Sequence, residues 1–324
     1  MRAGLGGGVV PETGEEESRM PERVGFIGVG KMGHGMARNL LEKGFPLTVL
    51  GHRNRAPVED LVARGAREVK TARELAEGCV VVFLCVSGSP QVESTVYGED
   101  GILAGARPGF ILVDCSTSDP ASTRRIAADL EAQGAAMADA PVTRAPKDAE
   151  AGRLNSLVGA SDETFGRIRP MLDAYSEAVF HFGPVGAGHT AKLVNNFISM
   201  GYCALIAEGM AVCASAGVDL RAMYQVLSRG AADSGALRKM IPAFLEGDLT
   251  GHQFAIANAL KDVSYARAMM AGCGFDSLLV EAVQKTYAQA VEKGYGDRLM
   301  ASLMEMHEER IGRPVVPRPR PDGV

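Results

Sequence analysis

Residues 183–199 read Gly-Pro-Val-Gly-Ala-Gly-His-Thr-Ala-Lys-Leu-Val-Asn-Asn-Phe-Ile-Ser, a glycine-rich lead running into a helical pattern with one lysine and two asparagines. At helical spacing Lys192, Asn195, Asn196 and Ser199 fall at i, i+3, i+4 and i+7 and share a face. A helix resting on a core puts apolar residues there, and this one puts a cation, two amides and a hydroxyl. The chemistry such a stripe supports is proton transfer. A lysine in a partly dry cleft gains or loses its proton near neutral pH, with amides beside it to orient a bound group. Taken alone, the same residues also suit a solvated helix face.

A second constellation, Gly28-Val29-Gly30-Lys31-Met32-Gly33, follows a short apolar run and opens a helical pattern, with a second apolar run returning at Leu47. In that context G-x-G-x-x-G is a dinucleotide signature. Gly28 permits the tight turn, Gly30 lets the backbone approach a pyrophosphate, and Gly33 allows close packing of helix on sheet. About twenty residues on, an NAD site places an acid against the ribose hydroxyls. This chain has Gly51-His52-Arg53-Asn54-Arg55 instead, with Glu59 the nearest acid downstream. Guanidinium groups there suit a 2′-phosphate, so the loop points to NADP, with NAD possible. The alternative is that Arg53 and Arg55 are surface charges.

Elements must hold these groups in place. Apolar runs at 47–50, 80–86, 110–113, 135–142, 157–158 and 179–182 alternate with helical patterns such as 36–42, 73–77 and 122–133. That alternation predicts a parallel sheet built from βαβ units. After Gly188 strand signals give way to helical stretches at 188–215, 219–229, 235–246, 253–272, 277–292 and 297–311, broken by glycines. The expected organisation is α/β then all-α: a disordered extension over 1–21, a dinucleotide-binding domain over 22–184, a helical domain over 185–312 and a disordered tail over 313–324.

The 324 residues carry a formal net charge of −5 with the charges interspersed, which offers no basic stripe for nucleic acid. The six cysteines, at 79, 85, 115, 203, 213 and 273, form no C-x-x-C pair and read as reduced, mostly buried thiols. The histidines at 34, 52, 181, 189, 252 and 307 show no ligand spacing, so no metal is expected. His189 reads as structural rather than as a wall of the site, and Asp233 and Ser234 are candidates to reach the pocket from a loop. No uninterrupted apolar segment approaches the length of a bilayer span, and the N-terminus lacks a signal-peptide core. Met20 is a possible start, and a cytoplasmic location is expected. The long helical stretches carry more apolar surface than one thin layer buries, which predicts a homodimer or homotetramer.

With these motifs in order, the chain resembles the β-hydroxyacid dehydrogenase family, which includes 3-hydroxyisobutyrate dehydrogenase. The resemblance covers residues 23–310. It rests on Gly-Phe-Ile-Gly-Val-Gly-Lys-Met-Gly-His-Gly-Met-Ala at 25–37, Asp-Cys-Ser-Thr-Ser-Asp-Pro at 114–120 and Asp-Ala-Pro-Val-Thr at 139–143. The lysine segment and Lys261-Asp262 complete it. It implies a Rossmann-type domain followed by a helical 6-phosphogluconate dehydrogenase-like domain. It also implies Lys192 as proton donor or acceptor, with Asn196 beside it. Val86 and Ser87 match a cofactor-contacting loop, Ser116 and Thr117 a hydroxyl pair near nicotinamide and substrate, and Lys261 a lysine closing onto the cofactor.

The chain departs from the usual Asp-Ala-Pro-Val-Ser-Gly-Gly by carrying Thr143-Arg144-Ala145. Sulfolactaldehyde reductases look similar here. By that likeness Thr143, Arg144, Asn195 and Ser199, with Ser116, would hold a small anionic hydroxyacid or semialdehyde. The alternative is that Arg144 pairs with an acid such as Asp148 or Glu150. The expected activity is hydride exchange between nicotinamide and such an acid. A non-catalytic NADP(H)-binding protein of the same fold and an imine reductase-type activity are the other readings. The lysine at position 192 favours a carbonyl substrate over the imine reductases, which usually carry Asp or Tyr there.

Overall fold

The computed structural model describes residues 22–317; the expected extension over 1–21 and the end of the expected tail lie outside them. The first half is a nine-stranded sheet. Six strands run parallel in the order β3-β2-β1-β4-β5-β6: β1 (Val24–Ile27), β2 (Leu47–Leu50), β3 (Arg67–Val69), β4 (Val81–Leu84), β5 (Ile111–Asp114) and β6 (Ala136–Asp139). β1, β4 and β5 are buried along their whole length, as expected of short continuous apolar runs covered on both faces. The covering helices include α1 (Gly33–Glu42), α2 (Ala56–Ala63), α3 (Ala72–Gly78), α4 (Ser89–Tyr97), α5 (Ile102–Gly105), α6 (Pro120–Glu131) and α8 (Asp162–Tyr175).

The sheet is not parallel throughout, which corrects the sequence expectation. The single run expected at 135–142 divides at Ala140-Pro141 into β6 and β7 (Val142–Thr143), because proline cannot donate to a ladder. A short helix, α7 (Pro146–Glu150), then leads into β8 (Leu154–Gly159), antiparallel to both β6 and β7. So short a link reverses the chain, whereas a parallel return needs a longer crossover. β9 (Ser176–Gly183) pairs parallel with β8 and ends the sheet.

The second half is helical, built around α9 (Ala187–Ser215). α10 (Leu220–Leu227), α11 (Gly235–Leu245), α12 (Ile256–Gly272), α13 (Leu278–Glu292) and α14 (Leu303–Ile311) surround it. Leu193, Met200, Cys203, Ala207 and Met210 of α9 form one core with Met240, Phe244, Val263, Tyr287 and Met304. Among the described residues α9 is the one helix long and apolar enough to cross a bilayer, contrary to the expectation that no segment approaches that length. Between Lys192 and Ser215 its only charge is Glu208, because one side faces this core. The other side exposes Val194, Ile198, Tyr202, Leu205 and Val212.

Two smaller expectations also change. The last helix begins at Leu303, after a single 3₁₀ turn over Met300–Ser302. Residues 313–317, expected as disordered tail, pack against the helical core. Val315 is buried, and the Val315 and Val316 N–H groups both donate to Glu308 Oε2 at 3.2 Å.

Candidate active site

The strand order turns at β1, with β2 on one side and β4 on the other, so a crevice opens beyond the carboxyl ends of these strands. Gly28, at φ 89°, and Gly33 are required by the fold. A Cβ on Gly28 would stand 2.1 Å from the Cys85 carbonyl oxygen, and one on Gly33 2.1 Å from that of Gly28. Gly30 is different: nothing lies within 4 Å of its Cβ position. The first turn of α1 has no side-chain cap, which leaves unpaired N–H groups at this helix end for a bound anion. Val29 is buried, Met32 partly buried and Lys31 exposed, so the cradle is backbone. Such an arrangement fits a pyrophosphate.

Beyond β2, His52, Arg53 and Asn54 are exposed. Arg55 is not free. Its Nη1 and Nη2 donate to Glu68 Oε1 and Oε2 at 2.6 and 2.9 Å. Glu59 is the nearest acid along the segment itself, whereas Glu68 arrives from β3. The only signal for it was the strand pairing itself.

On the other side of the crevice, Val86 N donates to Ser116 Oγ at 2.9 Å, tying the loop after β4 to the loop after β5. Ser116 is buried, while Thr117 and Val86 are partly buried and Ser87 exposed. From the helical half, Lys261 Nζ donates to the Ser87 carbonyl at 2.7 Å and to that of Thr117 at 3.4 Å. Ser89 N donates to Tyr265 Oη at 3.2 Å. α12 therefore closes on both loops.

The lysine helix enters between these parts. Asp139, buried at the end of β6, accepts from Gly186 N and His189 N, both at 2.6 Å, and so caps α9. Gly188 is there for space: a Cβ on it would stand 2.3 Å from the Leu157 carbonyl oxygen. His189 is fully buried, as expected of a structural residue. Its Nε2 donates to the Ser116 carbonyl at 3.1 Å and its Nδ1 shares a hydrogen bond with Thr123 Oγ1 at 2.8 Å. Asp139 and His189 together fix α9 to the sheet three residues before Lys192.

Lys192 Nζ donates to the Val142 carbonyl at 2.7 Å. Burial brings its pKa down from 10.5 to about 8; the Asp262 carboxylate opposes that shift and Lys261 adds to it. Asn196 is buried and donates to Asp262 Oδ2 at 2.7 Å, while Asn195, exposed, donates to Asn196 Oδ1 at 3.0 Å. Ser199 is partly buried on the same helix. The two asparagines of the polar stripe thus form a chain of contacts ending on Asp262, to which the sequence motif assigns no role.

Arg144, Asp233 and Ser234 are placed differently from expectation. Arg144 Nη1 donates to Glu177 of β9 at 2.5 Å, on the protein's exterior, so its guanidinium is matched by an acid that sequence spacing did not suggest. Thr143 Oγ1 accepts from Asn155 Nδ2 at 3.2 Å. Ser234 caps α11 through Leu237 N at 3.1 Å, and Asp233 pairs with Arg238 at 2.7 Å, so both serve that helix end.

Comparison with known proteins agrees with this architecture. A family described as the NAD binding domain of 6-phosphogluconate dehydrogenase matches residues 23–183. Another, described as NAD-binding of NADP-dependent 3-hydroxyisobutyrate dehydrogenase, matches residues 186–307. The NAD-dependent L-serine dehydrogenase of Pseudomonas aeruginosa is 31% identical over 299 residues, covering 90% of this chain and 100% of that protein. The 3-sulfolactaldehyde reductase of Escherichia coli is 31% identical over 283 residues, covering 87% and 94%. Among solved structures, Psf3 in complex with NADP+ and 2-OPP superposes with a TM-score of 0.75 at 26% identity, covering 87% of this chain and 99% of that one. The chain is an NAD(P)-dependent oxidoreductase acting on hydroxyl groups, and it belongs to the β-hydroxyacid dehydrogenase family, with 3-hydroxyisobutyrate dehydrogenase among its relatives.

Proposed function

We propose that this enzyme interconverts a small anionic β-hydroxyacid and its semialdehyde, with Lys192 as general acid in reduction and general base in oxidation. The observation that carries the reading is the placement of Lys192: its partly buried ammonium donates to the Val142 carbonyl at the junction of the two halves, where burial brings its pKa down to about 8. A group that titrates there donates and accepts protons at comparable cost near neutral pH. A nicotinamide held in the crevice would supply or receive the hydride. Lys192 gives its proton to the carbonyl oxygen as alkoxide character develops, and takes it from the alcohol in reverse. Asn196, held by Asp262, stands one turn on, where its amide position is fixed. Thr143, Asn195 and Ser199, with the loop of Ser116 and Thr117, are the groups offered to the substrate's anionic end. NADP is the favoured cofactor, with Arg53 toward the 2′-phosphate, and NAD is accepted.

A second copy of the chain is proposed to cover the exposed stripe of α9, since Val194, Ile198, Tyr202, Leu205 and Val212 lie along one side of a helix. Light scattering on the purified protein reads the resulting mass directly.

The function is tested by following NADPH consumption with succinic semialdehyde, tartronate semialdehyde, glyoxylate and sulfolactaldehyde. Lys192→Ala is expected to lose on the order of 10²-fold or more in turnover while still binding nucleotide. Retained turnover in that variant overturns the proton-transfer role. Nucleotide binding without consumption of any substrate by the unaltered protein would favour the non-catalytic reading.

A further inference from the structure

We propose that Glu68 and Arg55 form a cofactor-selecting pair, in which Glu68 supplies from the neighbouring strand the carboxylate that the end of β2 lacks. The inference rests on the dinucleotide site itself, not on which cofactor is preferred.

Gly51 directly follows β2, where an NAD-type site carries its acid against the ribose hydroxyls. β3 lies parallel to β2 with Val49 opposite Glu68 and Leu50 opposite Val69, and this register carries Glu68 up to the strand's end. A Cβ on Gly51 would stand 2.1 Å from Glu68 Oε1 and 2.6 Å from Arg55 Nη1. The carboxylate and the guanidinium therefore lie directly over the one residue of the turn that has no side chain. Two parallel hydrogen bonds, 2.6 and 2.9 Å long, join them, and Glu59 adds a looser contact at 3.7 Å to Arg55 Nε. Beside them, Arg53 is exposed and oriented by no partner acid among these contacts.

The two groups make opposite demands on the adenosine ribose. A carboxylate accepts hydrogen bonds from the 2′- and 3′-hydroxyls and repels a 2′-phosphate. A guanidinium takes that phosphate with two parallel hydrogen bonds. While they are joined, each cancels the other's field at Gly51, so the turn presents neither a clean NAD site nor a clean NADP site. The pair is also partly exposed, 47% for the Arg55 side chain and 32% for Glu68, and an ion pair so placed exchanges partners readily. With NADP, Arg55 leaves Glu68 for the 2′-phosphate; with NAD, Glu68 turns to the hydroxyls. Cofactor preference is then set by the balance within the pair, with Arg53 as a separate contribution.

The test is calorimetric titration of the full-length chain with AMP and with adenosine 2′,5′-bisphosphate, which carry the two ribose chemistries without the nicotinamide. Glu68→Gln removes the repelling charge and frees Arg55, so the Kd ratio of AMP to bisphosphate should rise about five-fold. Arg55→Gln leaves Glu68 unmatched, and the ratio should fall by a similar factor. Opposite displacements of three-fold or more support the pair as a selector. Smaller displacements, or parallel weakening of both ligands in both variants, overturn it, since a pair that only props the turn would weaken both alike. Thermal denaturation checks the folding of each variant, and if Glu68→Gln does not fold, the direction of the Arg55→Gln shift decides by itself. Arg53→Asp separates the two ideas: unchanged preference in that variant would sink the Arg53 assignment and leave this test standing.

Discussion

Asn196 donates to Asp262 Oδ2 at 2.7 Å, tying α9 to α12 one turn beyond Lys192. The other oxygen of Asp262 is buried without a hydrogen bond and stands 3.1 Å from Lys261 Nζ. Asp262 is thus a buried negative charge between two lysines, and its field is what holds the Lys192 proton on against burial. Asp262→Asn is expected to lower the Lys192 pKa further, moving the alkaline limb of the reduction rate to lower pH by on the order of one unit. Asn196→Ala removes the amide and leaves the charge, so it should reduce kcat with the limb in place. Full pH–rate profiles of the two variants separate these outcomes, and an unmoved limb in Asp262→Asn counts against the electrostatic role.

The Lys192 pKa of about 8 gives opposite pH dependences for the two directions. Reduction needs the ammonium, so its rate should fall as pH rises through about 8; oxidation needs the amine and should rise toward a plateau over the same interval. Stability carries the same signature. The folded pKa lies below the unfolded value of 10.5, so burying the cation penalises folding fully below pH 8, and the penalty fades between 8 and 10.5. The full shift corresponds to at most about 3 kcal/mol, and partial solvent access reduces it. Lys192→Met should therefore be more stable than the parent at pH 7 by about 1–3 kcal/mol in urea denaturation, with the gap narrowing toward pH 10.

Asp139 reaches α9 across 47 residues of sequence, and its two 2.6 Å hydrogen bonds are the cap that orients the lysine helix. Replacing it with Ala leaves buried N–H groups without an acceptor, a loss of about 2–4 kcal/mol. Gly188→Ala attacks the same junction through sterics, since its Cβ would meet the Leu157 carbonyl at 2.3 Å. Both should lower kcat more than they weaken nucleotide binding, because the glycine cradle before α1 is independent of α9. Thermal denaturation together with NADPH titration checks this, and a parallel loss of nucleotide binding would contradict it.

Much of this was legible in the residues because it is local. Gly28, Gly30 and Gly33 mark their turn by spacing, Lys192 and Asn196 mark their helix face, and the change from strands to helices after Gly188 follows from periodicity. What escaped was pairing across distance. Glu68 opposite Arg55, Glu177 opposite Arg144, Asp262 opposite Asn196 and Asp139 beneath α9 are each brought into place by strand register or helix docking, which no window of sequence contains. β3 escaped for a different reason: it is three residues, Arg67-Glu68-Val69, of which only the last is buried, so it has almost no apolar signal. The reversed direction of β8 escaped because periodicity identifies a strand and says nothing of which way it runs.

Arg144 is the non-glycine residue with positive φ among the described residues, at 84°. It stands where the family's usual Ser-Gly-Gly has a glycine, and the left-handed backbone explains that preference: a Cβ there costs about 1–2 kcal/mol. The ion pair with Glu177 sits at the surface and returns about 0–1 kcal/mol of that strain. Arg144→Gly should therefore leave stability unchanged or raise it by about 1 kcal/mol, despite the loss of a salt bridge. Its kinetic consequence follows from the same contact. With the guanidinium matched by Glu177, Arg144→Gly should raise KM for a carboxylate semialdehyde by no more than about 3-fold, within the range of a surface charge. Comparing that value with KM for sulfolactaldehyde, at constant ionic strength, distinguishes the two placements of the side chain. A loss of ten-fold or more for the sulfonate alone would mean that Arg144 leaves Glu177 to meet the substrate.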